Sequence, residues 1–535
     1  VHTLRYFVFP LPLILMPAFS RPKPFGFVRL SCLFLMFRSF VLVFIACAYW
    51  QEVSCIIVHR GSHVWSTLDR SSFSRSQANF LNALAQQRKK GRRSTCGWEG
   101  VPFPPDVNST TINRRPVALQ KHVHTTCEQL IQTGRRNICE TYTRAYTNTI
   151  DSTVEVQARQ MGDGVHTTFV KTGDISDMWL RDSAAQINHY ISLLNDDTTL
   201  KDMVTGLLRL QMDFYMANPY ANSFRSDGSV ATNNFELDSV CYAIKLGHRL
   251  WKETGDSSVF GGSTFLAFVD KVVEQWTNEQ NHPVTSKYGP EEAPQARDVM
   301  GPVKPNTGLI WQAYRPSDDV CEYHYNIPGN MMASVALGMI EEALADVFSE
   351  DSRSDRTRKV RRLRADIDKG IHEFGRGRAP GTGAEVYAYE VDGLGNQSFM
   401  DDANIPSLLS IPYIGYTSPF HDTSALYEKT REFVLSKNNP YFFEGAFASG
   451  VGSPHTSPGC IWPLGLIMQG LTASSLTEKR RVLRVLENTT GGTGYMHESF
   501  LADDPSTYTR GWFGWAASLY AEFVEQILLI ERSAI

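Results

Sequence analysis

The segment WLRDSAAQINHYISLL, residues 179–194, contains the pattern on which the chain is built. It opens with charged and aromatic residues, after which apolar residues recur at spacings of three and four: Ala184, Ile187, Ile191 and Leu194. That period places the apolar side chains on one face of an amphipathic α-helix. The polar cluster then lies at the helix N-terminus, where free backbone N–H groups can bind ligand oxygens. The pattern predicts a helix over residues 182–194 that begins beside a site.

The same arrangement occurs six times along the chain. A polar cluster with Gly or Pro precedes or opens an apolar segment at WLRDSA (Trp179), TNNFELD (Thr232), IPGNMMA (Ile327), DDANIPSLL (Asp401), SPGCIWPLG (Ser457) and TRGWFGWA (Thr509). A spacing of about 50 residues accommodates an inner helix, a return helix and two loops at a rise of about 1.5 Å per residue. The two longer intervals contain insertions, such as the Gly/Pro-rich residues 281–304. Six helix pairs predict an all-α ring whose inner helices begin at one mouth. A plain helical solenoid is the alternative, but it does not need carboxylates at each helix start.

The first 114 residues differ from this body. Residues 1–50 are apolar and predict a signal peptide or an N-terminal anchor; a start at Met36 gives a basic Arg38, an apolar stretch and an A-x-A site at Ala46-Cys47-Ala48. Residues 51–114 predict a linker or stem, and the helical catalytic domain is expected over residues 115–535. A secreted or secretory-pathway protein follows from this, with a membrane contact only if the anchor is not cleaved. Sequons at Asn108, Asn396 and Asn488 fit that route.

Composition excludes several classes of function. The formal net charge is -4, whereas nucleic-acid binding normally needs a basic face. The nine cysteines form no CxxC pair; Cys127 and Cys139 are close enough in sequence for a local disulfide. The chain contains no HExxH, no calcium loop and no nucleophile elbow, so we predict neither a metal nor another cofactor.

Acidic residues with aromatic neighbours are the candidates for chemistry. Asp182 opens the first inner helix, Asp318 and Asp319 lie in YRPSDD, Asp401 and Asp402 open the fourth cluster, and Glu498 lies in YMHESF. Hydrolysis of a glycosidic bond needs one carboxylic acid to protonate the leaving oxygen and a second carboxylate as base or nucleophile. Each acid alone could equally cap a helix or form a turn. The repeated combination at the helix starts favours a glycosidase.

Long strings in this body resemble glycoside hydrolase family 125. They are DMWLRDSAAQ, FELDSVCYAIKLGHRLWKETGD, YRPSDD with IPGNMMASVAL, MDDANIPSLLSIPYIGY, SGVGSPHT with WPLGLIMQGLT, and GYMHESF with YTRGWFGWAASLY, over about residues 115–530. The resemblance implies an (α/α)6 barrel. It also implies an exo-acting, inverting, metal-independent α-1,6-mannosidase that takes mannose-containing oligosaccharides.

The resemblance also implies roles for individual residues. The general acid is one Asp of RPSDD, Asp318 or Asp319, with Asp318 preferred by analogy with other (α/α)6 hydrolases; the general base is Glu498. An inverting pair is expected about 6.5–9.5 Å apart, which leaves room for the attacking water. The candidates for contact with the sugar are Arg181, Asp182, Asn404 and His497, then Arg315 and Arg510, with Trp462 and Trp512 as stacking walls.

Three alternatives remain at this stage. An inverting α-glucosidase or trehalase-like enzyme would keep the fold and change the sugar. A sugar-binding protein without catalysis would not need both Asp318-Asp319 and Glu498. A helical scaffold for protein partners would expose apolar faces and lack an acidic pocket. A monomer is expected.

Overall fold

The computed structural model describes residues 115–160, 166–289 and 301–533, together with the backbone of four strands between residues 33 and 67. The chain divides into two compact units, Val1–Phe73 and Ser74–Ile535. In the first unit, strands β1–β4 form one antiparallel sheet in chain order: Leu33–Phe37, Phe40–Ile45, Ser54–His59 and Ser62–Thr67. Apart from these strands, the predicted signal or anchor segment, the linker and Asn108 lie outside the described residues.

The second unit is predominantly helical. Its α-helices α1–α14 are, in chain order, Val117–Gln132, Arg136–Ser152, Leu180–Ala185, Thr198–Ala217, Leu237–Thr254, Ser263–Glu279, His282–Thr285, Ile327–Val347, Glu350–Phe374, Ile411–Ile414, Thr423–Val434, Pro463–Leu471, Leu476–Asn488 and Gly514–Ser533. Two 3-10 helices cover Asn188–Leu193 and Ser257–Phe260. No helix in the described residues has the length and apolar character needed to cross a membrane.

Short strands β5–β19 connect these helices. They are Val154–Gln160, His166–Val170, Met178–Trp179, Ser223–Phe224, Val230–Thr232, Tyr325–Asn326, Arg376–Arg378, Glu385–Tyr387, Glu390–Val391, Gln397–Ser398, Phe442–Glu444, Ser449–Val451, Cys460–Ile461, Ser499–Leu501 and Asp504–Thr509. Three small antiparallel sheets, β7-β8-β9, β10-β13-β14 and β17-β18-β19, include the strands that lead directly into α3, α8 and α12. These sheets fix the loops at the starts of the inner helices.

The helices form an (α/α)6 barrel. The inner helices α3, α5, α8, α10, α12 and α14 alternate along the chain with the outer helices α2, α4, α6, α9, α11 and α13. Helix α5 packs against both α3 and α8, α12 packs against α14, and α14 returns to α3, which closes the ring. The apolar stripes predicted for α5 and α14 are buried, because each of these two helices contacts inner helices on both sides.

Two details differ from the sequence prediction. The helix predicted over residues 182–194 is wrong as one element: α3 ends at Ala185, and a 3-10 helix follows from Asn188. Gln186, at the break, is fully buried and exchanges side-chain hydrogen bonds with the backbone at Lys171 and Gly173. The cluster at Asp401 does not open a helix directly, because the Asp401 carboxylate accepts the backbone N–H groups of Leu408 and Leu409 and stabilises a turn ahead of α10.

The disulfide predicted between Cys127 and Cys139 is confirmed and joins α1 to α2. Cys460 is also disulfide-bonded, whereas Cys241 and Cys321 are free and buried.

Candidate active site

The starts of the inner helices surround a cavity of about 140 Å³. Its charged lining residues are Asp174, Arg181, Asp182, Asp318, His455, Glu498 and Arg510. The remaining lining residues are Thr172, Ile175, Trp179, Pro316, Ser317, Asn404, Trp462 and Phe513. The predicted convergence of helix starts at one mouth is therefore confirmed. Carboxylates, cations and aromatic rings share this space, as recognition of a sugar requires.

Asp318 lies in a tight turn ahead of α8 that aims its side chain at the cavity. Its backbone N–H donates to the carbonyl of Arg315 at 2.9 Å, and its φ of 63° is in the left-handed region that non-glycine residues rarely adopt. The carboxylate Oδ1 accepts from Asn222 Nδ2 at 2.7 Å and Trp179 Nε1 at 3.3 Å. None of the described residues donates to Oδ2. That oxygen is left for a ligand or a proton.

Asp319 points to different partners. It accepts a hydrogen bond from Ser317 Oγ at 2.9 Å and lies 3.4 Å from His455 Nδ1, but it does not line the cavity. Burial lowers the pKa of His455, yet Asp319, Glu498 and Asp318 outweigh that effect and raise it to about 9. His455 is therefore an imidazolium cation at neutral pH. The sequence left the two aspartates undecided; of the two, Asp318 lines the cavity and Asp319 does not.

Glu498 is positioned by the β17-β18-β19 sheet. It directly precedes β18, and because Ser499 pairs with Thr509 of β19, Glu498 lies beside Arg510. Arg510 Nη1 donates to Glu498 Oε1 at 3.4 Å, and Arg510 Nε donates to Asp174 at 2.7 Å. Arg510 also has a positive φ of 50°. Two of the three non-glycine residues with positive φ among the described residues thus line this cavity. Strained backbone residues cluster at functional sites, so their position here favours a functional cavity.

Arg181 is a buried cation enclosed by three carboxylates. Its Nη1 lies 2.7 Å from Asp182, its Nη2 lies 3.0 Å from Glu236, and its Nε lies 2.7 Å from Asp238. Burial lowers the pKa of Arg181, but these acids and Asp318 raise it well above its ordinary value. Burial raises the pKa of Asp182 and of Glu236, and raises that of Asp238 to about 6, in each case against the charge of Arg181.

Other predicted contacts are also at the cavity. The Asn404 amide lines it and donates to Asp402 at 2.9 Å, which fixes the direction of the amide. The Trp462 ring is one wall, and its Nε1 donates to Thr456 at 2.9 Å. Arg510, predicted as a second-choice sugar contact, also lines the cavity.

Three predicted sugar contacts are not brought to the cavity. The two ring nitrogens of His497 lie 3.0 Å and 2.9 Å from the carbonyls of Thr490 and Arg510. Arg315 forms a bidentate ion pair with Glu390, at 2.5 Å and 2.8 Å. Trp512 is buried and does not line the cavity. The sequence did not reveal that His497 and Arg315 contact other parts of the protein, and direct contact of the three residues with a sugar stays a prediction.

Among the charged and amide residues at or beside the site, sequence reasoning missed five. Glu236, Asp238 and His455 lie inside the motifs TNNFELD and SPHT, so the position of these motifs at inner-helix starts was a usable signal. Asp174 and Asn222 carried no such signal, because the fold brings them to Arg510 and Asp318 from 336 and 96 residues away. Within the described residues, no group of three or more His, Cys, Asp or Glu side chains could hold a metal ion.

An (α/α)6 barrel with paired carboxylates in a cavity walled by aromatic rings defines a glycoside hydrolase. A family model described as metal-independent alpha-mannosidase matches residues 136–525. The chain belongs to this family, glycoside hydrolase family 125, which confirms the resemblance found in the sequence. It is therefore an α-mannosidase.

The chain is also similar to two individual proteins. The Meiotically up-regulated gene 157 protein of Schizosaccharomyces pombe is 32% identical over 457 residues, which cover 78% of this chain and 88% of the relative. A metal-independent alpha mannosidase from Streptococcus pneumoniae, solved as a non-productive complex with alpha-1,6-mannobiose, is 39% identical with a TM-score of 0.71. That match covers 77% of this chain and 98% of the solved chain.

Proposed function

We propose that this protein is an exo-acting, inverting α-1,6-mannosidase that removes terminal mannose from oligosaccharides. The observation that carries the proposal is that Asp318 and Glu498 line one cavity from two different inner-helix starts, and that each carboxylate is held by its own donors. Two acids in one cavity with separate hydrogen-bond donors suit a reaction in which one carries a proton and the other stays ionised.

In the proposed mechanism, Asp318 is the general acid and carries its proton on Oδ2, the oxygen without a donor. It gives that proton to the oxygen that links the two sugars as the glycosidic bond breaks. Glu498, positioned by its hydrogen bond from Arg510, removes a proton from a water molecule on the opposite face of the ring. The water oxygen bonds to the anomeric carbon, so an α-linked mannose leaves as β-mannose.

The lining of the cavity supports binding of a single terminal sugar. Arg181 and Asp182 present charged donors and acceptors, Asn404 presents an oriented amide, and the rings of Trp179 and Trp462 provide apolar walls. The linkage is supported by the Streptococcus pneumoniae relative, whose crystals contained alpha-1,6-mannobiose. The alternatives that keep the fold, an inverting α-glucosidase or a trehalase-like enzyme, have no comparable support.

We further propose that the protein travels through the secretory pathway as a glycosylated monomer. The Cys127–Cys139 disulfide is typical of oxidising compartments. Asn396 and Asn488, the sequon residues that the structure describes, are both exposed. Mass spectrometry of the protein from a eukaryotic host, with and without enzymatic removal of N-glycans, tests this: unmodified peptides at all three sequons would contradict it.

The decisive experiment is proton NMR of the purified full chain with α-1,6-mannobiose in the presence of EDTA. Release of β-mannose before α-mannose supports an inverting mannosidase. Release of α-mannose first would replace the inverting mechanism with a retaining one. Turnover of α-linked glucose disaccharides instead would favour the glucosidase alternative. Binding of mannobiose without turnover of any of these substrates would favour a sugar-binding protein.

A further inference from the structure

Glu236 and Asp238 form a buried acidic pair behind the proposed acid, at the start of α5. Glu236 is 3% exposed and Asp238 is fully buried, and neither lines the cavity, so they are not placed to contact substrate. Both instead contact Arg181. The mechanism proposed above gives them no task, although burial of two carboxylates is costly.

The geometry of Arg181 shows what the pair does. All three guanidinium nitrogens have a carboxylate within 3.0 Å: Nη1 has Asp182, Nη2 has Glu236 and Nε has Asp238. Asp318 Oδ1 lies 3.8 Å from Nη2, too far for a hydrogen bond. Arg181 is therefore close to the acid, but each of its nitrogens already pairs with another carboxylate.

The pairing of Arg181 with these carboxylates matters because a general acid must hold a proton. A free guanidinium beside Asp318 would stabilise its carboxylate form and form a charge-assisted pair with it. The charged and titratable groups around Asp318 are Asp319 and Tyr314 from its own turn, Arg181 and Asp182 from α3, Glu236 and Asp238 at the start of α5, His455 from the loop after β16, and Glu498 and Arg510 in the same cavity lining. Of the three cations among them, His455 pairs with Asp319, and Arg510 pairs with Asp174 and Glu498. Arg181 is therefore the cation from which Asp318 has to be protected.

We propose that Glu236 and Asp238 are positioning residues that occupy Arg181 and thereby keep Asp318 available as the proton donor. This inference rests on the proposed function. It predicts that the double variant Glu236→Gln/Asp238→Asn removes two of the three negative charges that pair with Arg181, so that the guanidinium pairs with Asp318 in their place. The acid then loses its proton at lower pH, and leaving groups that need protonation suffer most.

The test compares two substrates over pH. α-1,6-Mannobiose needs a proton on its leaving oxygen, whereas α-mannosyl fluoride leaves as fluoride ion and needs little help from the acid. In the double variant we expect kcat/KM for mannobiose to fall about ten- to hundred-fold, and that for the fluoride by less than about threefold. The upper pH limb of mannobiose hydrolysis should move down by about one unit. The control Glu279→Gln/Asp368→Asn removes one buried Glu and one buried Asp that do not line the cavity. It should change neither the ratio of the kcat/KM values for the two substrates nor the upper limb of the pH profile.

The outcomes distinguish failure of this inference from failure of the proposed function. Equal losses on both substrates, or an unmoved upper limb in a folded double variant, overturn the proposal. If the double variant does not fold, the single variants Glu236→Gln and Asp238→Asn decide: each should lower the mannobiose-to-fluoride ratio, and an unchanged ratio in both overturns the inference. A wild-type protein that turns over neither substrate refutes the proposed function itself, which is a separate result.

Discussion

At the residue scale, Asp318 combines a strained backbone with a carboxylate of which one oxygen is held and the other is not. Its φ of 63° is tolerated better by Asn than by most residues, because a short polar side chain can hydrogen-bond locally. Asp318→Asn therefore removes the proton donor while keeping the turn. This makes it a cleaner substitution here than Asp318→Ala.

We expect Asp318→Asn to lower kcat on α-1,6-mannobiose by about 10²- to 10⁴-fold, the usual contribution of a general acid. Asp319→Asn should lower kcat less than about tenfold, because Asp319 pairs with His455 outside the cavity lining. Steady-state kinetics of both variants measures the difference. A larger loss in Asp319→Asn than in Asp318→Asn would reverse the assignment of the acid.

His455 gives a prediction for stability against pH. Its pKa is raised from 6.5 to about 9 in the fold, chiefly by Asp319 once burial is overcome. The protonated form is favoured in the folded state, so the stabilisation is fully present below pH 6.5 and is lost as pH rises through about 9. His455→Gln should therefore lower Tm at pH 6 and have a smaller effect at pH 10. Thermal unfolding at the two pH values measures this, and an equal loss of Tm at both would contradict it.

At the element scale, several helix starts have a local chemical reason. The Asp197 carboxylate caps α4 by accepting the N–H groups of Thr199 and Leu200, and its second oxygen accepts from Ala118 in α1. Asn326, Asp422 and Ser475 cap α8, α11 and α13 in the same way. The starts of α3, α5 and α12 have no side-chain cap, and their preceding residues are Trp179, Glu236 and Trp462, at or beside the site. Side chains at these positions thus serve the site in place of capping.

The cap at Asp197 can be tested. Asp197→Ala should lower the free energy of unfolding by about 1 kcal/mol, because it leaves backbone N–H groups of two helices without an acceptor. Asp196→Ala is the matched control: it removes an exposed acid one residue earlier that has no such role. Urea denaturation of both variants gives the comparison, and equal midpoints would show that the cap does not stabilise α4.

At the scale of the whole molecule, the barrel depends on close approach between its last two inner helices. Gly470 in α12 faces the ring of Phe523 in α14, and a β-carbon at Gly470 would overlap that ring. Gly338 in α8 faces only the end of the flexible Arg364 side chain, at 3.1 Å from a β-carbon. Glycine is therefore required for packing at position 470, whereas at position 338 a neighbour can move.

Gly470→Ala should destabilise the barrel by about 1–3 kcal/mol through overpacking at the ring closure. Gly338→Ala should be neutral or slightly stabilising, because alanine is favoured over glycine inside a helix. Chemical denaturation measures both changes. A Gly470→Ala protein as stable as the wild type would mean that α12 and α14 can separate without cost.

The sequence by itself determined the class of fold and the family. The apolar period of α5 and α14, and polar clusters at regular spacing, were enough to predict inner helices that begin at one mouth. The resemblance carried by the strings around YRPSDD and YMHESF was enough to identify the family. These patterns involve residues that are close together in the chain, so they can be read directly from the sequence.

The tertiary structure decided what each side chain meets. His497, Arg315 and Trp512 lie next to site residues in the sequence, yet protein partners or burial keep them from the cavity. Asn222 and Asp174 lie far from Asp318 and Arg510 in the sequence, yet they hold them. The choice between Asp318 and Asp319 also depended on the turn, since adjacent residues of identical type differ only in where the backbone points them. Hydrogen-bond partners and side-chain directions arise from contacts between distant segments, and spacing along the chain does not encode them.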